Sequence, residues 1–146
     1  MEYDFKNGFF SHREVFGRLK ESECIDLLVQ HKWRNNVYLL LNILDEIRGE
    51  VGVPMLLTST YRDINHNLAV GGSSTSQHLT GEAVDFTFPS ARYDEGCTRF
   101  IELITRAYTD QIGQVLVHNS YIHVALPSAN HPKLELYDKR TNQRHT

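Results

Sequence analysis

The sequence predicts an α+β domain with a small, mainly antiparallel sheet backed by two amphipathic helices. Three observations carry this expectation. Apolar residues recur at intervals of three and four from about Trp33 to Arg48 and from Asp94 to about Tyr108, the signature of helices with one buried stripe. Short apolar or alternating runs at Val53 to Ser59, Ala83 to Phe88, Ile112 to Val117 and Tyr121 to Leu126 have the length and period of strands. The last two are joined through His118-Asn119-Ser120, a connection short enough for a hairpin, which makes that pair antiparallel. With 146 residues, 40% of them hydrophobic, the chain reads as one domain, residues 1–146, with one core.

Residues 1 to 10 are aromatic-rich and read as an extended arm anchored by Phe5, Phe9 and Phe10. Ser11-His12-Arg13-Glu14 has the form of a capping box, so a short helix is expected to begin there. In the scaffold helix that follows, Val37, Leu40, Leu41, Leu44 and Ile47 form the buried stripe, and Gly49 and Gly52 are expected to end it. Val53 to Ser59 then reads as a buried strand with Pro54 tolerated at its start, delivering Thr60-Tyr61-Arg62 to a loop. Asp63 can cap a short helix through Ala69, and Gly71-Gly72-Ser73-Ser74-Thr75 is a turn-rich connector. After the break at Pro89-Ser90, Asp94 is the expected cap of the second long helix, with Cys97, Phe100, Ile101, Ile104, Ala107 and Tyr108 facing the core. The polar end, approximately 127–146, reads as a loosely ordered tail.

Charge and composition exclude several partners. Fifteen basic and eighteen acidic side chains give a formal charge of -3, with neither a basic footprint for nucleic acid nor a polybasic arm for a membrane surface. No run approaches the ~18 apolar residues that span a bilayer, and Met1 to Lys6 lacks the pattern of an export signal. Cys24 and Cys97 are far apart in helical segments and read as two buried thiols rather than a disulfide or a zinc knuckle.

The chemistry concentrates in Ser76-Gln77-His78-Leu79-Thr80-Gly81-Glu82-Ala83-Val84-Asp85. His78 and Asp85 lie seven residues apart, with Gly81 to turn the backbone between them and a strand entered behind it. An imidazole and a carboxylate are both zinc ligands, and a catalytic zinc keeps three protein ligands and one open position. The best third donor is His123 in Tyr121-Ile122-His123-Val124-Ala125, an alternating run that projects the imidazole onto the same sheet face as Asp85. Ser76 and Gln77, at the rim of the same loop, are expected to hydrogen-bond the substrate.

The pattern S-x-H-x-x-G-x-A-x-D, the upstream Ser59-Thr60-Tyr61-Arg62 and the downstream Ile122-His123-Val124 together resemble the zinc D-alanyl-D-alanine carboxypeptidases and the phage L-alanyl-D-glutamate endopeptidases, over roughly residues 33 to 126. The resemblance implies a hedgehog-like zinc fold, a Zn2+ cofactor held by His78, Asp85 and His123, and hydrolysis of a peptide bond in bacterial cell-wall stem peptides. It also implies that Arg62 holds a carboxylate or carbonyl of the substrate, a task suited to a planar, permanently charged fork. Delivery to the wall would fall to a separate lysis system or to carriage on a virus particle.

One position departs from the pattern. Relatives carry a Glu or Asp three residues before the last zinc histidine, as general base, where this chain has Ser120. His118 is the nearest titratable replacement, since an imidazole with an ordinary pKa of ~6.5 suits proton transfer, and it reads equally well as an exposed turn histidine. Two function classes therefore stand: a zinc peptidase acting on peptidoglycan, favoured by the ligand set and Arg62, and a noncatalytic module that keeps the metal fold for structure or for binding cell-wall peptide, favoured by Ser120.

Overall fold

Alternating β-branched and aromatic residues on one side of short strands, and a stripe of leucine and isoleucine along one helix, can bury their apolar faces only against each other. A computed structural model, which describes Phe10, residues 34–59, Gln77 and residues 82–145, has this arrangement. Among the described residues, helices α1 (Arg34–Val51) and α2 (Tyr93–Ala107) accompany strands β1 (Leu56–Ser59), β2 (Ala83–Thr87), β3 (Gln114–Val117), β4 (Ile122–Ala125), β5 (Glu135–Asp138) and β6 (Gln143–Arg144). The strands form one sheet in the order β1-β2-β4-β3-β5-β6. Every neighbouring pair is antiparallel except β3 with β5, which is parallel. The α+β architecture with a mainly antiparallel sheet is the one expected.

In α1, Leu40, Leu41, Leu44, Ile47 and Val51 are buried in the core, while the side chain of Val37 lies outside the described residues. The helix runs through Gly49, one of its two expected terminators, and stops at the other. Gly52 has φ +74°, and its N–H donates to the Arg48 carbonyl at 3.1 Å. That left-handed conformation suits glycine and satisfies a carbonyl at the helix end. A glycine inside a helix costs only about 1 kcal/mol, and burying Val51 two residues later offsets it.

Aromatic rings join α2 to β2 in the core. Phe86 stands edge-on to Phe88 at 5.5 Å and to Phe100 at 5.2 Å between ring centroids, and all three rings are fully buried. Such pairs add about 0.5–1.5 kcal/mol each beyond their buried area. A side chain at Gly96 would overlap the Phe88 ring, so the helix approaches the sheet this closely only with glycine there. Cys97 is a free, buried thiol on the same helix, as expected, and Cys24 lies outside the described residues. Asp94 does not cap the helix from outside. It lies with Glu95 in the first turn, where negative charge complements the helix dipole.

The polar end of the chain departs most from expectation. Rather than a loose tail, it supplies β5 and β6, with Val115 and Val117 of β3 paired to Leu136 and Asp138 of β5. Leu136 is fully buried. Asp138, also buried, bonds the Arg140 guanidinium through both carboxylate oxygens at 2.8 and 3.0 Å, and Arg140 reaches on to Asp94 of α2 at 2.9 Å. A four-residue segment with one deeply buried apolar side chain carries too little local pattern to announce itself as a strand, yet its pairing with β3 orders it.

Candidate active site

Antiparallel pairing places direct cross-strand partners on the same sheet face. Asp85 of β2 is the partner of His123 of β4, so both side chains emerge together, and His123 Nδ1 lies 2.9 Å from Asp85 Oδ1. The same register continues across the sheet from Ser59 through Asp85, His123, Leu116 and Tyr137 to Arg144. Their neighbours Val84, Phe86, Val124, Val115 and Val117 point the other way and are buried against the helices. The expected common face of Asp85 and His123 is thus present in the fold.

These two groups fit a zinc edge. Ligands at ~2.0–2.1 Å from a tetrahedral ion are about 3.3 Å from one another, and the 2.9 Å between His123 and Asp85 is within a few tenths of that. Both side chains are mostly sheltered, with 18% and 12% of their surfaces exposed, which limits competition from water. Among the described residues no group of three His, Cys, Asp or Glu is gathered to hold a metal ion. The remaining expected donor, His78, lies outside the described residues, as do Arg62 and Ser76. So do the arm with Phe5 and Phe9, the capping box at Ser11, the helix expected after Asp63 and the Gly71 to Thr75 loop.

Gln77 is described, and its side-chain amide donates to the Leu126 carbonyl at 3.3 Å, while its own carbonyl accepts from the Glu82 N–H at 2.9 Å. Leu126 in turn donates its N–H to the Glu82 carbonyl at 2.8 Å. Gln77 therefore ties the approach to β2 onto the end of β4, a bracing contact beside its expected role toward substrate.

His118 follows β3 at the edge of the same region. Its ring stacks on Tyr121 with centroids 4.2 Å apart and 13° between planes, and its N–H and the Tyr121 carbonyl close the turn at 2.8 Å. Two further bonds hold that turn: Tyr93 Oη of α2 donates to the His118 carbonyl at 2.6 Å, and Thr87 Oγ1 of β2 donates to the Ser120 carbonyl at 2.8 Å. Burial lowers the His118 pKa below its ordinary value, and the Lys139 ammonium and His123 act in the same direction against the attraction of Asp85. A histidine shifted this way is neutral at neutral pH and able to accept a proton. Burial also raises the Tyr93 phenol well above its usual range, so it stays protonated as the donor to the turn.

Sequence reasoning missed Tyr93, Thr87 and Lys139. Tyr93 and Thr87 hold the turn through backbone carbonyls, and Lys139 sat in the segment read as tail. Their roles depend on contacts between distant segments, and the only local sign was the alternation in Glu135-Leu136-Tyr137-Asp138.

Among curated proteins none matches the chain. The family model described as Peptidase M15 matches residues 11–125, a span that includes the Ser76 to Asp85 motif and His123. M15 peptidases are metallopeptidases and are generally zinc-dependent, in keeping with a sheet face that presents Asp85 beside His123, and on this match the chain belongs to the peptidase M15 family.

Proposed function

We propose that this chain is a zinc peptidase that hydrolyses a peptide bond in peptidoglycan stem peptides, as a carboxypeptidase or an endopeptidase. The observation that carries the reading is the Asp85–His123 pair, directly opposed across two strands and sheltered on the face away from the core. His78, Asp85 and His123 would hold the ion, which when bound supplies a water of pKa near ~7 and polarises the scissile carbonyl. The neutral His118 imidazole takes the proton of the attacking water and returns it to the leaving amine. Its turn is fixed from three sides by Tyr121, Tyr93 and Thr87, so the ring does not need to be ordered at the moment of reaction. Arg62 orients the substrate through a carboxylate or carbonyl, and Ser76 and Gln77 hydrogen-bond it. Access to the wall is through a lysis system or a virus particle.

Ser120 favours a second reading. It sits three residues before His123, where relatives carry a carboxylate, and its carbonyl anchors the turn through Thr87. On that reading the chain binds cell-wall peptide without cutting it. Incubating the zinc-loaded protein with purified muropeptides and weighing the products by mass spectrometry separates the two. Loss of one alanine identifies a carboxypeptidase, and release of a cross-link or of the stem identifies an endopeptidase. Unchanged muropeptides that nevertheless bind the protein would establish the module.

A further inference from the structure

The segment after the family match, residues 126–146, brings three cations to one edge of the sheet, and they differ in what already occupies them. Arg140 is held by Asp138 and Asp94. Arg144 lies over the Tyr137 ring at 5.2 Å and within 3.8 Å of Glu135. Lys139 is exposed, and among the described residues its ammonium enters no ion pair.

Its position is nevertheless defined. Asp138 is the parallel partner of Val117, and the Lys139 N–H extends that ladder by donating to the Val117 carbonyl at 2.8 Å, beside His118. Asp138 points to the helix side, and Lys139 is the exposed first residue of the turn that follows β5 at the His118 end of β3. The field of its ammonium reaches the His118 ring, where after burial it is the largest influence against protonation.

We propose that Lys139 is a specificity-determining residue of the cleft, its ammonium receiving a carboxylate of an acidic stem peptide next to His118. The proposal rests on the peptidase reading of the same site. A stem peptide that contains D-glutamate and ends in a free carboxylate offers more than one anion, and the motif assigns only Arg62 to them. A compact charge on a flexible four-carbon stem adapts to a carboxylate whose position varies between substrates. Because the site is open to water, the expected gain is modest, about fivefold, as for an exposed ion pair worth ~1 kcal/mol.

The test compares the zinc-loaded full chain with Lys139→Ala, Lys139→Gln and Lys139→Arg on two probes, a stem peptide and the same peptide with its carboxylates amidated. Both kcat/KM and calorimetric affinity are measured. The wild type should prefer the carboxylate form by about fivefold, and Lys139→Ala and Lys139→Gln should bring that ratio toward one. Lys139→Arg should restore most of the preference, and salt should erode it in the wild type. A ratio unchanged in Lys139→Ala overturns the proposal. If nothing is hydrolysed but the wild type binds the carboxylate form more tightly than Lys139→Ala does, Lys139 keeps its role and the peptidase reading falls. If the wild type binds neither peptide, both fall.

Discussion

The two faces of the sheet are built from the same strands and obey opposite rules. On the helix side, Val84, Phe86, Val115, Val117, Ile122 and Val124 are buried at interior density, so their contribution is stability. On the other side, Asp85, His123, Leu116 and Tyr137 lie in one cross-strand row, Asp85 buried and the other three half-buried. The period of two lets a rigid apolar base hold polar groups in place without sharing their chemistry. Asp138 is the exception that tests the rule. It is a charge on the core side, tolerated because Arg140 binds both of its oxygens.

The sharpest way to break this division is to remove a group from the open face and ask whether the fold notices. His123→Ala and Asp85→Ala should each abolish zinc retention after dialysis against chelator, because two remaining ligands hold the ion too weakly. Peptide hydrolysis should disappear with it, while the unfolding free energy of the metal-free protein, measured in urea, should change by no more than about 1 kcal/mol. Zinc undiminished in both variants would put the metal elsewhere.

His118→Ala comes next in size. It should keep the metal and the fold but lose on the order of 10² to 10⁴ in kcat, the usual contribution of a positioned acid or base. A rate equal to that of the wild type would remove His118 from the mechanism.

The helix side should behave inversely. Phe86→Ala removes a fully buried ring that contacts both Phe88 and Phe100, and should cost about 3–5 kcal/mol in chemical denaturation. Where the variant still folds, zinc per chain should be unchanged. Loss of metal from a folded Phe86→Ala protein would mean that the two faces are not separable.

The smallest effect sharpens the exception. Arg140→Ala leaves Asp138 buried without its main partner and should cost about 3 kcal/mol at pH 7, the low end for a buried pair because Arg140 keeps some contact with water. Burial pushes the Asp138 pKa up, but the hydrogen bonds and charge of Arg140 outweigh this and hold it below its ordinary value. A depressed folded pKa means that the unfolded chain takes the proton first. The pair's contribution is therefore fully present above the ordinary carboxylate range near ~4, and it is lost as pH falls through the lower folded value. The difference between wild type and Arg140→Ala, read as urea midpoints, should shrink from pH 7 to pH 3. A constant difference would show that Arg140 acts by packing alone.

Much of this architecture is legible in local pattern. The three-and-four spacing of Leu40, Leu41, Leu44 and Ile47 and of Cys97, Phe100, Ile101 and Ile104 marks both helices, because a helix must turn one stripe toward the core. The alternation through Ala83 to Phe86 and Ile122 to Ala125, with the short His118-Asn119-Ser120 link, likewise marks the strands and the hairpin. The motif from Ser76 to Asp85 with His123 pointed to the metallopeptidase family because side-chain chemistry at fixed spacing is a local property. Only the tertiary structure decided which strands are neighbours. That Asp85 stands opposite His123 depends on β2 pairing with β4 across 38 residues of chain, and a period of two specifies a face but not a partner. The same limit hid the C-terminal strands. Leu136 and Asp138 are buried by what β3 and α2 bring to them, so a segment polar in composition became a sheet edge, and Lys139 came to lie beside His118.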